Sequence, residues 1–216
     1  MKIDILTLFP DMFEGPFEHS IIKRAVDKEL IEINIHSLRS WAKDKHKTVD
    51  SKPYGGGAGM IIKVDIVDKA ITNLKTKNSK PNTHVVLLSP QGKRYNQEMA
   101  AKLAKRDHII LIAGHYEGFD ERIRENLVDE EISIGDYVLT GGEIPAMVVV
   151  DSVVRLIPRV LGSGESLEGE THSKQNYKKH PVYTRPEEFK GWRVPEVLLS
   201  GNHSEIEKWK KENTIK

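Results

Sequence analysis

Apolar residues in this chain follow two rhythms. Short runs rich in Ile, Val and Leu fall at 3–8, 31–36, 84–88, 109–113 and 131–134. Between them lie longer stretches in which apolar positions recur every three to four residues. The runs show little alternation, which predicts strands covered on both faces and therefore a parallel sheet. The longer stretches predict helices over about 20–28, 64–77, 96–105, 120–126 and 143–156, with Pro158 closing the last. Strands and helices taking turns in this way define an α/β fold.

After residue 160 the pattern changes. Gly162, Ser163, Gly164, Glu165 and Ser166 open a polar stretch that predicts a linker over 161–180. The remainder, 181–216, carries its own small apolar set, including Tyr183, Phe189, Trp192, Leu198 and Trp209. Asn202 followed by Glu205 predicts a capped final helix. So small a segment does not fold stably alone and is expected to pack on the main domain, 1–160, or on a partner subunit.

Composition narrows the classes of function. The chain has 216 residues, 38% apolar and 30% charged, as in soluble proteins with a real core. A net charge of +1 excludes a globally basic nucleic-acid binder but leaves room for a local basic face. Without cysteine there is no disulfide scaffold, thiolate zinc site or thiol nucleophile, which fits a reducing cytoplasm. Asp4 interrupts any apolar leader, and the apolar run 146–150 is too short to cross a bilayer, so no membrane association is expected.

Chemistry concentrates at three strand ends. Ser133-Ile134-Gly135-Asp136-Tyr137-Val138-Leu139-Thr140-Gly141-Gly142-Glu143 places three glycines and two carboxylates between a strand and a helix. Leu87-Leu88-Ser89-Pro90-Gln91-Gly92 and Ala113-Gly114-His115-Tyr116-Glu117-Gly118 share the design. Glycine lets another group approach the main chain closely, and a strand ending in such a turn before a helix commonly cradles a ligand. Together the three predict one composite site.

Other readings fare less well. Tyr54-Gly55-Gly56-Gly57-Ala58-Gly59-Met60 lacks the Lys-Ser/Thr ending of a P-loop. It reads as a loop lining a site. Lys43, Lys45, His46 and Lys47 before it are either phosphate contacts or a solvated basic loop. Ser89, His115 and Asp136 evoke a hydrolase triad, but there is no nucleophile elbow, and Pro90 has no N–H for an oxyanion hole. Asp120 and Glu121 read as first-turn helix anions, whereas Glu117, inside its turn, faces a ligand more than a helix dipole.

Taken in register, these segments resemble the bacterial tRNA (guanine-N1)-methyltransferases, the knotted SPOUT-type family. The likeness runs from Thr7-Leu8-Phe9-Pro10 through the glycine segments and Ile157-Pro158-Arg159-Val160-Leu161-Gly162 to Val197-Leu198-Leu199-Ser200-Gly201-Asn202-His203. It implies an α/β fold whose three loops form a deep trefoil knot, followed by a small, shortened C-terminal helical domain that binds tRNA. It implies a homodimer that methylates guanosine 37 with S-adenosylmethionine, its active site lying between one subunit's knot and the other's linker and tail. Cofactor positions carried over are Gly114, Tyr116, Ile134, Gly135, Asp136, Tyr137, Val138 and Leu139, with Leu88, Ser89, Pro90, Gly141 and Gly142.

For catalysis the family implies Glu170 as the base and Arg155 as the group steadying charge on guanine O6. Family members also use Mg²⁺, for which Glu117 and Glu170 would offer oxygens. The chain departs from the family where Glu-Asp-Ser-Phe is replaced by Gly169-Glu170-Thr171-His172, and it stops at Lys216 where relatives continue. Weaker tRNA affinity is the expected consequence. A related knotted methyltransferase with another RNA target, or a cofactor-binding RNA regulator without catalysis, are the alternatives.

Overall fold

A computed structural model describes residues 1–77, 82–162, 169–173 and 177–215. The chain divides into two compact units, Met1–Gly162 and Ser163–Lys216.

The first unit is built on a five-stranded sheet. Strands β1 (Lys2–Thr7), β2 (Glu32–Ser37), β5 (Thr83–Arg94), β6 (His108–Ala113) and β7 (Glu130–Ser133) stand in the order β2-β1-β6-β5-β7. Every pairing is parallel. A short antiparallel pair, β3 (Asp50–Ser51) with β4 (Ile61–Ile62), lies outside it. Helices α1 (Ser20–Asp27), α2 (Val64–Lys77), α3 (Gln97–Leu103), α4 (Glu121–Asn126) and α5 (Glu143–Val154) fill the connections.

The two-residue period of the strands sorts their side chains into two cores. Ile3, Ile5, Val86, Leu88, Ile109 and Leu111 meet Ile22 and Ala25 of α1, Ala100 and Leu103 of α3, and Ala146, Val149, Val150 and Val153 of α5. Leu6, Val85, Leu87, Ile110 and Ile112 meet Ile66, Val67, Ala70, Ile71 and Leu74 of α2 and Ile123 of α4. Both faces of the central strands β1, β6 and β5 are therefore dry, whereas the edge strand β2, with no fully buried residue, alternates apolar and polar side chains.

Buried polarity sits in β1. Asp4 is fully buried, with Oδ2 2.7 Å from His108 Nε2, and with Oδ1 2.8 Å from His36 Nε2 and 3.2 Å from Asn34 Nδ2. Burial alone would raise its pKa, but the hydrogen bonds from His108 and His36, helped by Lys2, hold it well below the ordinary carboxylate range.

One strand differs from the sequence expectation. The run 84–88 predicts a strand ending at Leu88, yet β5 continues to Arg94. It pairs with β7 twice: Leu88 and Lys93 are both opposite Ile132, with the intervening residues looped out. Gly92 explains the return, because a Cβ there would stand 2.5 Å from the Ile132 backbone. Only glycine lets the chain pass so close.

The second unit contains a hairpin of β8 (Glu188–Phe189) and β9 (Trp192–Arg193), and helices α6 (Glu196–Leu199) and α7 (His203–Glu212). Asn202 caps α7, its side chain accepting from Ser204 N at 3.2 Å and Glu205 N at 3.5 Å. The reciprocal arm of a capping box is replaced, since Asn202 N donates to Ser200 Oγ. Trp209 packs near His180 and Tyr183. None of the unit's described residues is fully buried. Much of the linker expectation, 163–168 and 174–176 including Lys174, lies outside the described residues.

Candidate active site

At the register shift of β5 after Leu88 and the carboxyl ends of β6 and β7 the first unit opens a cavity of about 250 Å³. Such strand ends are where open α/β sheets bind ligands. All three glycine segments line it: Leu88, Ser89 and Pro90 from the first; Gly114, His115, Tyr116, Glu117 and Gly118 from the second; and Ser133 to Gly135 and Tyr137 to Gly142 from the third. Phe119, Ile132 and Pro145 complete the wall.

Glycine sets the closeness of these loops. Gly142 N donates to Gly114 O at 2.8 Å, and a Cβ on Gly142 would stand 2.6 Å from Gly114 N and 2.7 Å from Ala113 Cα. At Gly114 a Cβ would strike the Phe119 ring, and at Gly135 the Tyr137 ring. The exposed edge of the cavity is apolar, with Tyr137 55%, Val138 81% and Leu139 38% exposed.

The glycine-rich loop 54–60 is tied to the second segment without lining the cavity itself. Glu117 N donates to Met60 O, Ile62 N donates to Gly118 O, and the Glu117 side chain lies where a Gly59 Cβ would be. Upstream, Lys43, Lys45, His46 and Lys47 are all exposed, in a turn fixed by Asp44, which accepts from His46 N, Thr48 N and Thr48 Oγ1. Asp120 accepts from Arg122 N, Nε and Nη2. The Arg122 hydrogen bonds hold its carboxyl below the ordinary range.

The family model described as tRNA (Guanine-1)-methyltransferase TrmD matches residues 1–216. The chain belongs to this family. A relative from Dehalococcoides mccartyi is 55% identical over all of this chain and 86% of its own length; one from Bacillus pumilus is 54% identical, over 88% of its length. A third, from Citrifermentans bemidjiense, is 53% identical over 86% of its length. Each is named tRNA (guanine-N(1)-)-methyltransferase.

Of the cofactor positions carried over from this methyltransferase family, twelve meet around one cavity: Leu88, Ser89, Pro90, Gly114, Tyr116, Ile134, Gly135, Tyr137, Val138, Leu139, Gly141 and Gly142. Asp136 does not. Its carboxylate turns out to solvent and pairs with Arg94 at 3.2 Å. The triad alternative is not assembled either, because Ser89 Oγ donates to Glu131 Oε1 at 2.6 Å, and the carboxylate beside His115 is Glu143.

Arg155 is the C-cap residue of α5, partly buried, its N–H donating to Asp151 O. Glu170 belongs to the second unit and is also partly buried, its carbonyl accepting from Ser173 N. For the Mg²⁺ expectation on Glu117 and Glu170, no group of three or more His, Asp or Glu side chains among the described residues stands close enough to hold an ion. Glu117 lies in the first unit and Glu170 in the second.

The site positions assigned from sequence left out Phe119, Ile132, Thr140, Pro145 and above all Glu143, which entered only as one of two carboxylates in its segment. Glu143 is fully buried at the start of α5, with Thr7 Oγ1 donating to Oε1 at 2.6 Å. Its signal was a carboxylate directly after Gly141-Gly142, which reads equally well as a favourable first-turn anion.

Proposed function

We propose that this chain transfers the methyl group of S-adenosylmethionine to N1 of guanosine 37 in tRNA, beside the anticodon, acting in the cytoplasm. Family membership over the whole chain carries the reaction class. The observation that supports the site is the single cavity formed by all three glycine segments.

The cavity suits the cofactor chemically. A nucleoside needs an apolar slot and backbone hydrogen-bonding groups within reach, and Leu88, Ile134, Val138, Leu139 and Pro145 line a slot whose glycines hold the loops close. When bound, S-adenosylmethionine supplies a methyl carbon already activated on a cationic sulfur.

What remains for the protein is to prepare the base. Guanine N1 is a poor nucleophile while it carries its proton. Glu170 takes that proton onto its carboxylate, and Arg155 donates hydrogen bonds to O6 as negative charge gathers there. The freed N1 electron pair is then ready to accept the methyl carbon; with S-adenosylmethionine bound, the S–C electron pair would remain on sulfur. Alignment supplies much of the remaining acceleration.

The reading extends to a deep trefoil knot among the three loops and to a homodimer. The double pairing of Ile132 with Leu88 and Lys93, at a point only Gly92 can occupy, supports threading. Ile144 and Val148, 48% and 41% exposed on the face of α5 opposite the core, support burial against a second copy. Incubating the protein with S-adenosylmethionine and unmodified tRNA bearing guanosine at positions 36 and 37 tests the function. Formation of 1-methylguanosine supports it, and its absence counts against it.

A further inference from the structure

Behind the cavity wall lies an acid–imidazole pair that methyl transfer does not use. Glu143 Oε2 is buried and has no hydrogen-bond partner among the described residues, although Oε1 is held by Thr7. His115, which lines the cavity, has its Nδ1 in the same condition. The two atoms stand 3.6 Å apart. Gly141 covers both, since a Cβ there would overlap Glu143 Oε2 and His115 Nδ1. The Phe9 ring at 4.6 Å and the Tyr116 ring at 5.8 Å confine the imidazole.

A buried polar atom without a partner is costly, and more so where the dielectric is low. A carboxylate can only accept, whereas an imidazole nitrogen can donate. Two orphaned atoms of matching capacity, facing each other under a glycine, relieve both costs by closing less than about 1 Å to hydrogen-bond distance. Gly141 has no side chain to stand between them.

We propose that Glu143 is a positioning residue for the cofactor cavity: His115 carries its proton on Nδ1 and donates it to Glu143 Oε2, and the contact tightens when the cavity is filled. The inference rests on the cavity taking S-adenosylmethionine. Three elements meet at the pair: the end of β1 through Thr7, the end of β6 through His115, and the start of α5 through Glu143 itself. Closing it draws the Gly114–His115 turn and the Gly141–Gly142 turn together over the bound nucleoside. Gly141 is required there because any side chain would wedge the pair apart.

The test uses the full chain, with S-adenosylmethionine and S-adenosylhomocysteine as probes in calorimetry and imidazole ¹⁵N NMR to read the His115 tautomer. Wild-type protein is expected to show the Nδ1–H tautomer, free and bound. Glu143→Gln keeps the shape and the bond from Thr7 but turns an N–H toward Nδ1, so the tautomer reverses. Affinity for both probes falls about tenfold, as a charge-assisted hydrogen bond is exchanged for a weaker neutral one of reversed direction. His115→Leu falls similarly, while His115→Asn, whose amide nitrogen takes the place of Nδ1, stays within about threefold. If Glu143→Gln does not fold, the two His115 variants decide the matter, because a merely space-filling role would not separate Asn from Leu in this way. An Nε2–H tautomer in wild type, or equal affinities for His115→Asn and His115→Leu, overturns the proposal. Failure of wild type to bind either probe, with Nδ1–H still present, condemns the functional reading of the cavity and leaves the pair standing.

Discussion

Gly142→Ala is the sharpest perturbation of the cavity. The residue has φ −86 and ψ −1, which alanine adopts without strain, so the backbone conformation itself costs nothing. The added methyl is the whole effect. It would stand 2.6 Å from Gly114 N, about 0.8 Å inside the 3.4 Å at which ordinary contact begins, and it faces backbone that cannot rotate aside. Relief requires α5 to move away from the end of β6, which breaks the 2.8 Å bond from Gly142 N to Gly114 O. Overpacking of this kind costs about 1–3 kcal/mol, and the lost hydrogen bond adds about 1 kcal/mol. The midpoint of thermal unfolding should fall by roughly 5–15 °C. S-adenosylmethionine affinity should fall by about tenfold or more, because displacement near 1 Å is damaging in a positioned site. Differential scanning calorimetry and titration calorimetry read the two effects. Gly162→Ala is the control, with no atom within 4 Å of its Cβ position, and it should stay within about 0.5 kcal/mol of the parent. Parental stability and affinity in Gly142→Ala would refute the claim that these loops are held at glycine-only distance.

Glu170→Gln should retain cofactor binding but lose turnover by about a hundredfold or more in single-turnover methylation; near-parental rates would remove Glu170 from the base role. Asp4 has a depressed pKa in the folded protein, so its stabilising contribution is complete above the unfolded value of 3.8 and is lost as pH falls toward the folded value. Urea unfolding of Asp4→Asn should therefore show a deficit near neutral pH that shrinks toward about pH 3, and a deficit independent of pH would contradict it. Replacing Lys43, Lys45 and Lys47 together with alanine should weaken tRNA binding and flatten its salt dependence by about two units of log–log slope if the loop touches phosphates. An unchanged slope in filter binding assigns the loop to solvent.

The sheet was legible because its central strands are dry on both faces. Runs such as Ile109-Ile110-Leu111-Ile112 leave no other placement, and the helices between them carried clear periodicity. The cavity was legible in its glycines for a similar reason: Gly114 and Gly142 are needed where backbones touch, and closeness leaves a mark in composition. The return of β5 beyond Leu88 was not legible. Ser89-Pro90-Gln91-Gly92 reads as a plain turn, and only the presence of Ile132 beside Gly92 shows why the strand resumes. The side-chain direction of Asp136 was not legible either. The residue sits within the densest stretch of lining residues, yet its side chain is turned outward to Arg94. Glu143 was hidden because burial is a property of packing, and a first-turn glutamate is ordinary in a sequence.

The most direct measurement is to map the methylated nucleotide by nuclease digestion and mass spectrometry, after reaction of bulk unmodified tRNA with this protein and S-adenosylmethionine. The account predicts 1-methylguanosine at position 37 of those tRNAs with guanosine at 36 and 37. Methylation at another nucleotide, at another atom of guanine, or at none would contradict it.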